Sequence, residues 1–417
     1  MVGQGFINGM DSNASYKISQ SKRHMTQLDI EEGVLMGMCS DGLNGYRKEY
    51  NDFLISRSVG GNGSYQERYL TVSIAKRSIQ DARNYFDRVG PEITARFTEL
   101  GSRCRELSTE ERLQILPNFY RPEDSEYFHF DLGHSMRMGP DFRDYICPDS
   151  MEKHKDYLMV GNRYARTFYL KDLASFIRDD ILDELTSLNS DLMLSIDVLP
   201  IQTDEAVREV ENRLLGVEKN MADWQRRQNR NNNYSAMLPY EMELQRKETK
   251  EVLDDLTTRD QRMMLSVITM VVTADTKEQL DSLTESLRSI AQNRMCQIAP
   301  LTFQQMDGLN TVLPIGPRKI NAFRTLTTES LAVFMPFKVQ EIQEKGGMYF
   351  GENAISRNLL LCNKQNLQNQ ATVVFGVPGS GKSFLTKEQI FMLIANTDDD
   401  ILICDPEGEY APLVEAM

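Results

Sequence analysis

Apolar residues recur along the chain with two alternating periods. Three runs read as strands: Leu70-Thr-Val-Ser-Ile74, "LMLSIDVLPI" at 192–201 and "MLSVITMVVTA" at 264–274. Each gives way, after a short polar step, to apolar positions three and four apart, the spacing of one buried helical face. The first such helix is expected from about Ser78, burying Ile79, Ala82, Phe86, Val89 and Ile93, with Gly90-Pro91 kinking or restarting it. The second starts at Thr203 as N-cap and buries Ala206, Val207, Val210 and Leu214. The third follows Thr276, which forms a capping box with Gln279, and buries Leu280, Leu283, Leu287 and Ile290. Strand runs alternating with helices of this length predict an α+β body with sheet and helices in layers.

Between the second and third copies lies a polar stretch from about Glu218 to Arg262, split by "NRNNNYSAMLP". The Asn run and Pro239 form a turn, so an antiparallel helical arm over about 218–262 is expected. Near its tip "RRQNR" (226–230) is the densest basic patch, either a solvated helix face or a contact for nucleic acid or anionic lipid. Trp224, the single tryptophan, serves there as a packing anchor or as a base-stacking platform. From Leu331 the pattern changes. "SLAVFMPF" (330–337) reads as a strand ended by Pro336, and "QEIQEKGG" (340–347) as a polar connector. Short β runs follow at 348–351, 358–362 and 371–375. These place a boundary around 336–347, between an amino-terminal α+β domain (1–336) and a second domain (337–417).

Composition narrows the function. A formal net charge of −14 argues against a free-standing nucleic-acid binder with a basic surface, so any DNA contact needs a local patch. With 41% hydrophobic and 26% charged residues, the chain has the means for a packed core. Its longest apolar run, 263–274, falls short of the ~20 residues that a spanning helix needs. No export signal opens the sequence, which predicts a cytoplasmic protein unless a partner holds it elsewhere. The six cysteines lie scattered without a C-x-x-C pair and read as reduced, mostly buried thiols. His129 and His134 in "HFDLGH" offer no helical ligand face, and a loop or strand edge fits them better than a metal pair.

Chemistry concentrates near residue 380. Gly376-Val377-Pro378-Gly379-Ser380-Gly381-Lys382-Ser383 satisfies G-x-x-x-x-G-K-[ST], with Phe384 continuing the stretch. Its glycines let the backbone turn tightly, so that successive N–H groups point inward as an anion nest. Lys382 is the catalytic candidate, reaching the β- and γ-phosphates of ATP, while the Ser383 hydroxyl ligates Mg²⁺. "ATVVF" before the loop reads as a buried strand, and "FLTKEQIFMLI" after it as a helix whose dipole faces the same charge. A further strand, "ILIC" (401–404), leads to Asp405 at its carboxyl end. Asp405, Glu407 and Glu409 in "DPEGEY" either face the nucleotide, with Asp405 as a second Mg²⁺ ligand, or shape the turn.

The segment "YFGENAISRNLLLCNKQNLQNQATVVFGVPGSGKSFLTKEQI…TDDDILICDPEGEYAPLVEAM" (349–417) resembles the large ATPase of conjugative-transfer and type IV secretion systems. The flavour is that of the VirB/TraE/TraC-type energisers of Gram-positive conjugative elements. The resemblance extends more loosely through "LTFQQMDGLNTVLPIG" (301–316), "TLTTESLAVFMPF" (325–337) and "YLTVSIA" (69–75). It implies an α+β amino-terminal domain docked on a membrane channel, followed by the start of a P-loop (RecA-like) α/β NTPase domain. It also implies ATP hydrolysis, hexamers, channel components as partners, and a peripheral place at the inner face of the cell membrane. Family members continue past the "EY" segment to an acidic strand-end motif and an arginine acting across subunits, so these 417 residues are expected to be an amino-terminal portion. Two other readings remain open: a DNA-pumping ring ATPase of the HerA/FtsK type, and a non-catalytic adaptor.

Overall fold

The computed structural model describes residues 2–58, 63–99, 101–122, 124–125, 128–139, 141–173, 181–186, 188–230, 237–335, 341–354, 356–367 and 369–417. The chain divides into two compact units, Met1–Lys22 with Glu67–Lys338, and Arg23–Gln66 with Val339–Met417. Residues 23–66 thus group with the carboxyl-terminal stretch rather than with the rest of 1–336.

The first unit is mixed α/β around a large antiparallel sheet. Its strands are β1 (Ala14–His24), β2 (Ser64–Ile74), β3 (Met151–Lys153), β4 (Leu158–Val160), β5 (Arg163–Asp172), β6 (Leu192–Pro200), β7 (Met263–Ala274), β8 (Gln297–Pro300) and β9 (Arg324–Thr327). The order is β2-β1-β6-β7-β5-β4-β3, with β8 beside β5 and β9 beside β7. The unit division falls within β1 and β2. The three strand runs of the sequence are β2, β6 and β7, and all lie in this one sheet. β6 and β7 form its centre, in register from Leu192 opposite Val272 to Pro200 opposite Met264.

The near-continuous apolar character of these two strands has a simple cause: both faces of the sheet are covered. On one face Ile18, Leu194, Ile196, Met270 and Val272 pack with Tyr85, Val89 and Phe97 of helix Ile79–Glu99 and with Leu280, Leu287 and Ala291 of helix Lys277–Asn293. On the other, Met193, Val271, Ala165 and Leu158 meet Leu309 and Val312 of helix Gln305–Val312. Successive residues of a strand point to opposite faces, so one unbroken run serves both cores. The second face also buries a cross-strand ion pair, Lys17 opposite Asp197. The Lys17 ammonium donates to the carbonyls of Thr311, Leu313 and Pro317, fastening the segment after helix Gln305–Val312 to β1. Burial is the main force on both charges. It pushes the Asp197 carboxyl up to about 7 and the Lys17 ammonium down, against their mutual attraction.

The helices confirm some expectations and correct others. Thr276 and Gln279 form the capping box. The first helix runs through Pro91 unbroken, and its buried stripe is Tyr85, Val89, Ile93 and Phe97 rather than Ile79, Ala82 and Phe86. Ile79 is 78% exposed, whereas the Tyr85 hydroxyl donates to Asp11 and Phe97 packs on Phe6. The buried aromatic positions are Tyr85, whose hydroxyl finds a partner in Asp11, and Phe97, while Phe86 is exposed. The polar stretch forms a helical pair, Thr203–Arg230 and Tyr240–Thr258, joined at its root by Ala206, Val210 and Leu256 and further out by an Arg246–Glu218 ion pair. The Asn run of the expected turn, residues 231–233, lies outside the described residues. "SLAVFMPF" is not a strand: Thr328–Val333 is a helix capped by the Thr327 hydroxyl. Leu331, Phe334 and Met335 bury at helical spacing, which prevails over the apolar run, while Pro336 lies outside the described residues. The cysteines are free, but only Cys296 is buried; Cys39, Cys147 and Cys404 are exposed, contrary to the expectation of mostly buried thiols.

The second unit holds the hairpin β10 (Met348–Glu352) and β11 (Leu359–Cys362), helix Asn44–Arg57 and the long helix Lys382–Asn396. Leu359 and Leu361 of β11 pack with Met25, Val34 and Leu54; Met348 packs with Met36, Met392 and Ala395. Two expected strands do not form. Residues 371–375 and 401–404 find no ladder partner among the described residues, and Val373, Phe375 and Leu402 lie in solvent. Without a neighbour, a strand gains neither hydrogen bonds nor burial, so the apolar run alone does not fix it. No described helix is long and apolar enough to cross a membrane.

Candidate phosphate-binding site

The G-x-x-x-x-G-K-S stretch leads directly into helix Lys382–Asn396. Gly379 and Gly381 hold left-handed backbones, φ 79° and 87°, and Gly381 is the residue that caps the helix. The conformation disfavours a side chain at both positions. At Gly376 a Cβ would fall 2.4 Å from Ser380 Oγ and 3.1 Å from Lys382 Cγ, so these two side chains would have to shift to admit one. The amides of Gly379 and Gly381 have no backbone acceptor among the described residues. The first amides of a helix have none within it either. The loop is therefore a solvent-open cradle of unused N–H donors at the positive end of a helix dipole.

The Lys382 ammonium folds over this loop and donates to the carbonyls of Gly376 (2.9 Å) and Val377 (3.1 Å). Ser383 is exposed with a hydroxyl that has no partner among the described residues. Val377 and Phe384 point to solvent, 72% and 75% exposed, and Pro378 and Ser380 complete an exposed turn closed by the Ser380 amide on the Val377 carbonyl. This donor set fits a polyphosphate: oriented N–H groups, one ammonium folded over them and one hydroxyl without a partner among the described residues.

Asp405 takes the turn-shaping role. Its two carboxylate oxygens accept the amides of Gly408 (3.0 Å) and Tyr410 (2.8 Å), closing the "DPEGEY" turn. Glu407 and Glu409 are exposed. Among the described residues no three His, Cys, Asp or Glu side chains gather into a metal-holding group, at this site or around His129 and His134. His129 pairs with Glu110, and His134 lies in the short helix Leu132–Met138, capped by Asp131, rather than in a loop or strand edge. Lys387, on the phosphate-loop helix, stacks over the Tyr410 ring at 5.3 Å, so the turn and the helix are neighbours.

What holds this helix was missed by sequence reasoning. Lys364 donates to Gln389 (2.9 Å) and to Thr372 (3.1 Å), tying the helix to the segment before the loop. Phe391 packs edge-on against Tyr46 and Tyr50 of helix Asn44–Arg57. The Tyr50 hydroxyl lies 3.1 Å from Met392 Sδ and 3.4 Å from Glu388, and burial with that carboxylate pushes its phenol up. Arg47 is 2% exposed: its Nε donates to the carbonyl of Ala395 in the last helical turn, and its fork grips Asp41. That grip holds the Asp41 carboxyl well below the usual range. No motif marks these residues; their meaning is visible only once the two distant segments meet.

The other sequence candidates belong to the first unit. "RRQNR" closes helix Thr203–Arg230, with Arg227 and Arg230 in its last turn where cations complement the dipole. Trp224 is half-buried on the same helix. No protein-family model and no curated protein matches the chain.

Proposed function

We propose that the chain binds Mg²⁺-ATP at residues 376–384 and is the energising component of a conjugative DNA-transfer or type IV secretion machine. One observation carries the nucleotide reading: a left-handed Gly381 presents the loop's unused amides at the head of a 15-residue helix, with Lys382 poised above them. In this reading the amides of Gly379, Gly381, Lys382 and Ser383 grip phosphate oxygens. Lys382 exchanges its two carbonyl partners for the β- and γ-phosphates. Ser383 holds Mg²⁺, and Asp405 joins it if its turn contacts are released. The bound metal would neutralise phosphate charge. The machine itself is assigned from the resemblance of residues 349–417 to that ATPase family, which implies hydrolysis, hexamers and a channel-docking role for the first unit. A peripheral site at the inner membrane face follows from the same resemblance. The net charge of −14 gives the DNA-pumping alternative less support.

Binding of a fluorescent methylanthraniloyl-ATP with Mg²⁺ tests the reading. Charge-assisted hydrogen bonds contribute ~1.5–3 kcal/mol, so Lys382→Ala should weaken binding roughly 10–150-fold. Melting should barely move, because the partners lost are two exposed loop carbonyls. Equal binding by both proteins, or none by either, overturns the assignment.

A further inference from the structure

The phosphate-loop helix has a cradle at one end and a buried cation at the other. Its carboxyl-terminal carbonyls lack intrahelical donors, and Arg47 supplies one at 3.0 Å to Ala395. The guanidinium cannot drift, because Asp41 and Asn44 hold both its terminal nitrogens. Tyr50 and Tyr46 bracket Phe391 one turn earlier. We infer that Arg47 is a positioning residue for the phosphate loop: it fixes the axial position of helix Lys382–Asn396, and so the place of the amides at its head. The inference rests on the nucleotide reading above.

The mode of action follows from distance. A helix rises ~1.5 Å per residue, so the head of this one lies roughly 20 Å from Arg47, beyond a Debye length of ~8 Å. The arginine's charge therefore does little at the loop directly. Its effect is mechanical, since a helix is stiff along its axis and an N–H···O contact weakens steeply with misplacement. Tyr50 and Phe391 resist rotation about the axis, Met36 and Met348 pack on Met392 and Ala395, and Arg47 holds the Ala395 carbonyl by a directional hydrogen bond.

The experiment compares full-length Arg47→Met and Arg47→Lys with Leu359→Ala. Leu359 is a fully buried residue of the same unit in a cluster with Met25, Val34 and Leu54, which Tyr50 borders but which no described residue of the phosphate-loop helix joins. Two signals are read: methylanthraniloyl-ATP affinity at low and high salt, and amide hydrogen exchange across 376–385. Arg47→Met is expected to weaken binding about tenfold by the same factor at both salt levels and to speed exchange at Gly379–Leu385. Arg47→Lys should recover part of both losses. Leu359→Ala should lower the melting temperature while leaving both signals unchanged. Wild-type affinity in Arg47→Met, or an equal loss in Leu359→Ala, overturns the inference. If the wild type shows no Lys382-dependent binding, the nucleotide reading fails by itself. Exchange then decides: faster loop exchange confined to the Arg47 variants supports the positioning role, and unchanged exchange refutes it.

Discussion

Gly381→Ala offers a clean test of whether the loop conformation described here is the one that grips phosphate. At φ 87° the residue sits where an L side chain is disfavoured, while a Cβ placed there has nothing within 4 Å. The perturbation is thus pure backbone strain, with no steric clash to confuse it. Placing Ala in the left-handed region costs ~1–2 kcal/mol, which lowers the population of the cradle roughly 5–30-fold. A ligand that needs the cradle is weakened by the same factor, because its apparent affinity scales with the competent fraction. Asn tolerates this region better than Ala, so Gly381→Asn should lose less. Titration with methylanthraniloyl-ATP gives the affinities, and circular dichroism confirms that the folded fraction is unchanged. Two results would refute the reasoning: wild-type affinity in Gly381→Ala, or an Asn variant as impaired as the Ala one.

Two predictions concern the first unit. Asp197 is held at about 7 in the folded protein against 3.8 unperturbed, so between these values the unfolded chain gives up a proton that the folded chain keeps. Stability should therefore fall as pH rises from ~4 to ~7, by at most ~4 kcal/mol from this residue, and Asp197→Asn should flatten that slope in urea titrations; an unchanged slope would remove Asp197 as its source. At Gly308 a Cβ would meet Leu301 Cδ1 and Thr167 Oγ1, each at 2.5 Å. Overpacking of this kind costs ~1–3 kcal/mol, so Gly308→Ala should lower the melting temperature, whereas Gly5→Ala, with open space around it, should not. Equal melting of the two variants would show that the site relaxes freely.

The parts of the fold legible in sequence were those where one local pattern suffices. β6 and β7 announce themselves because both their faces are apolar, and Thr276 with Gln279 carries its own cap. The G-x-x-x-x-G-K-S stretch is legible as a motif for the same reason, since its glycines, lysine and serine fall within one short run. β1 shows the limit. Lys17, Ser19 and Lys22 give it a polar text, yet all three are buried, with carbonyls of residues 311–317 and 186–188 receiving the ammonium groups. Residues 371–375 err in the opposite sense: apolar text without a neighbour to pair with. Arg47 and Tyr50 look like surface residues of a polar helix, and only Ala395 and Phe391, far along the chain, explain their burial. Partners distant in sequence leave no periodic trace.

The interleaving of the two units has a consequence during translation. Residues 23–66 leave the ribosome early, carrying Met36, Leu54 and the Tyr46–Tyr50 face, while the residues that cover them begin at Val339. At ~5–20 residues per second, synthesis of the intervening stretch takes roughly 14–54 s. For that interval an apolar surface belonging to the second unit has no mate, although β1 and the early strands already have neighbours arriving. Nascent chains should therefore attract holdase chaperones through 23–66, and a stall before residue 339 should leave that segment open to proteases. The segment that carries the candidate phosphate loop is thus also the one whose arrival covers residues 23–66.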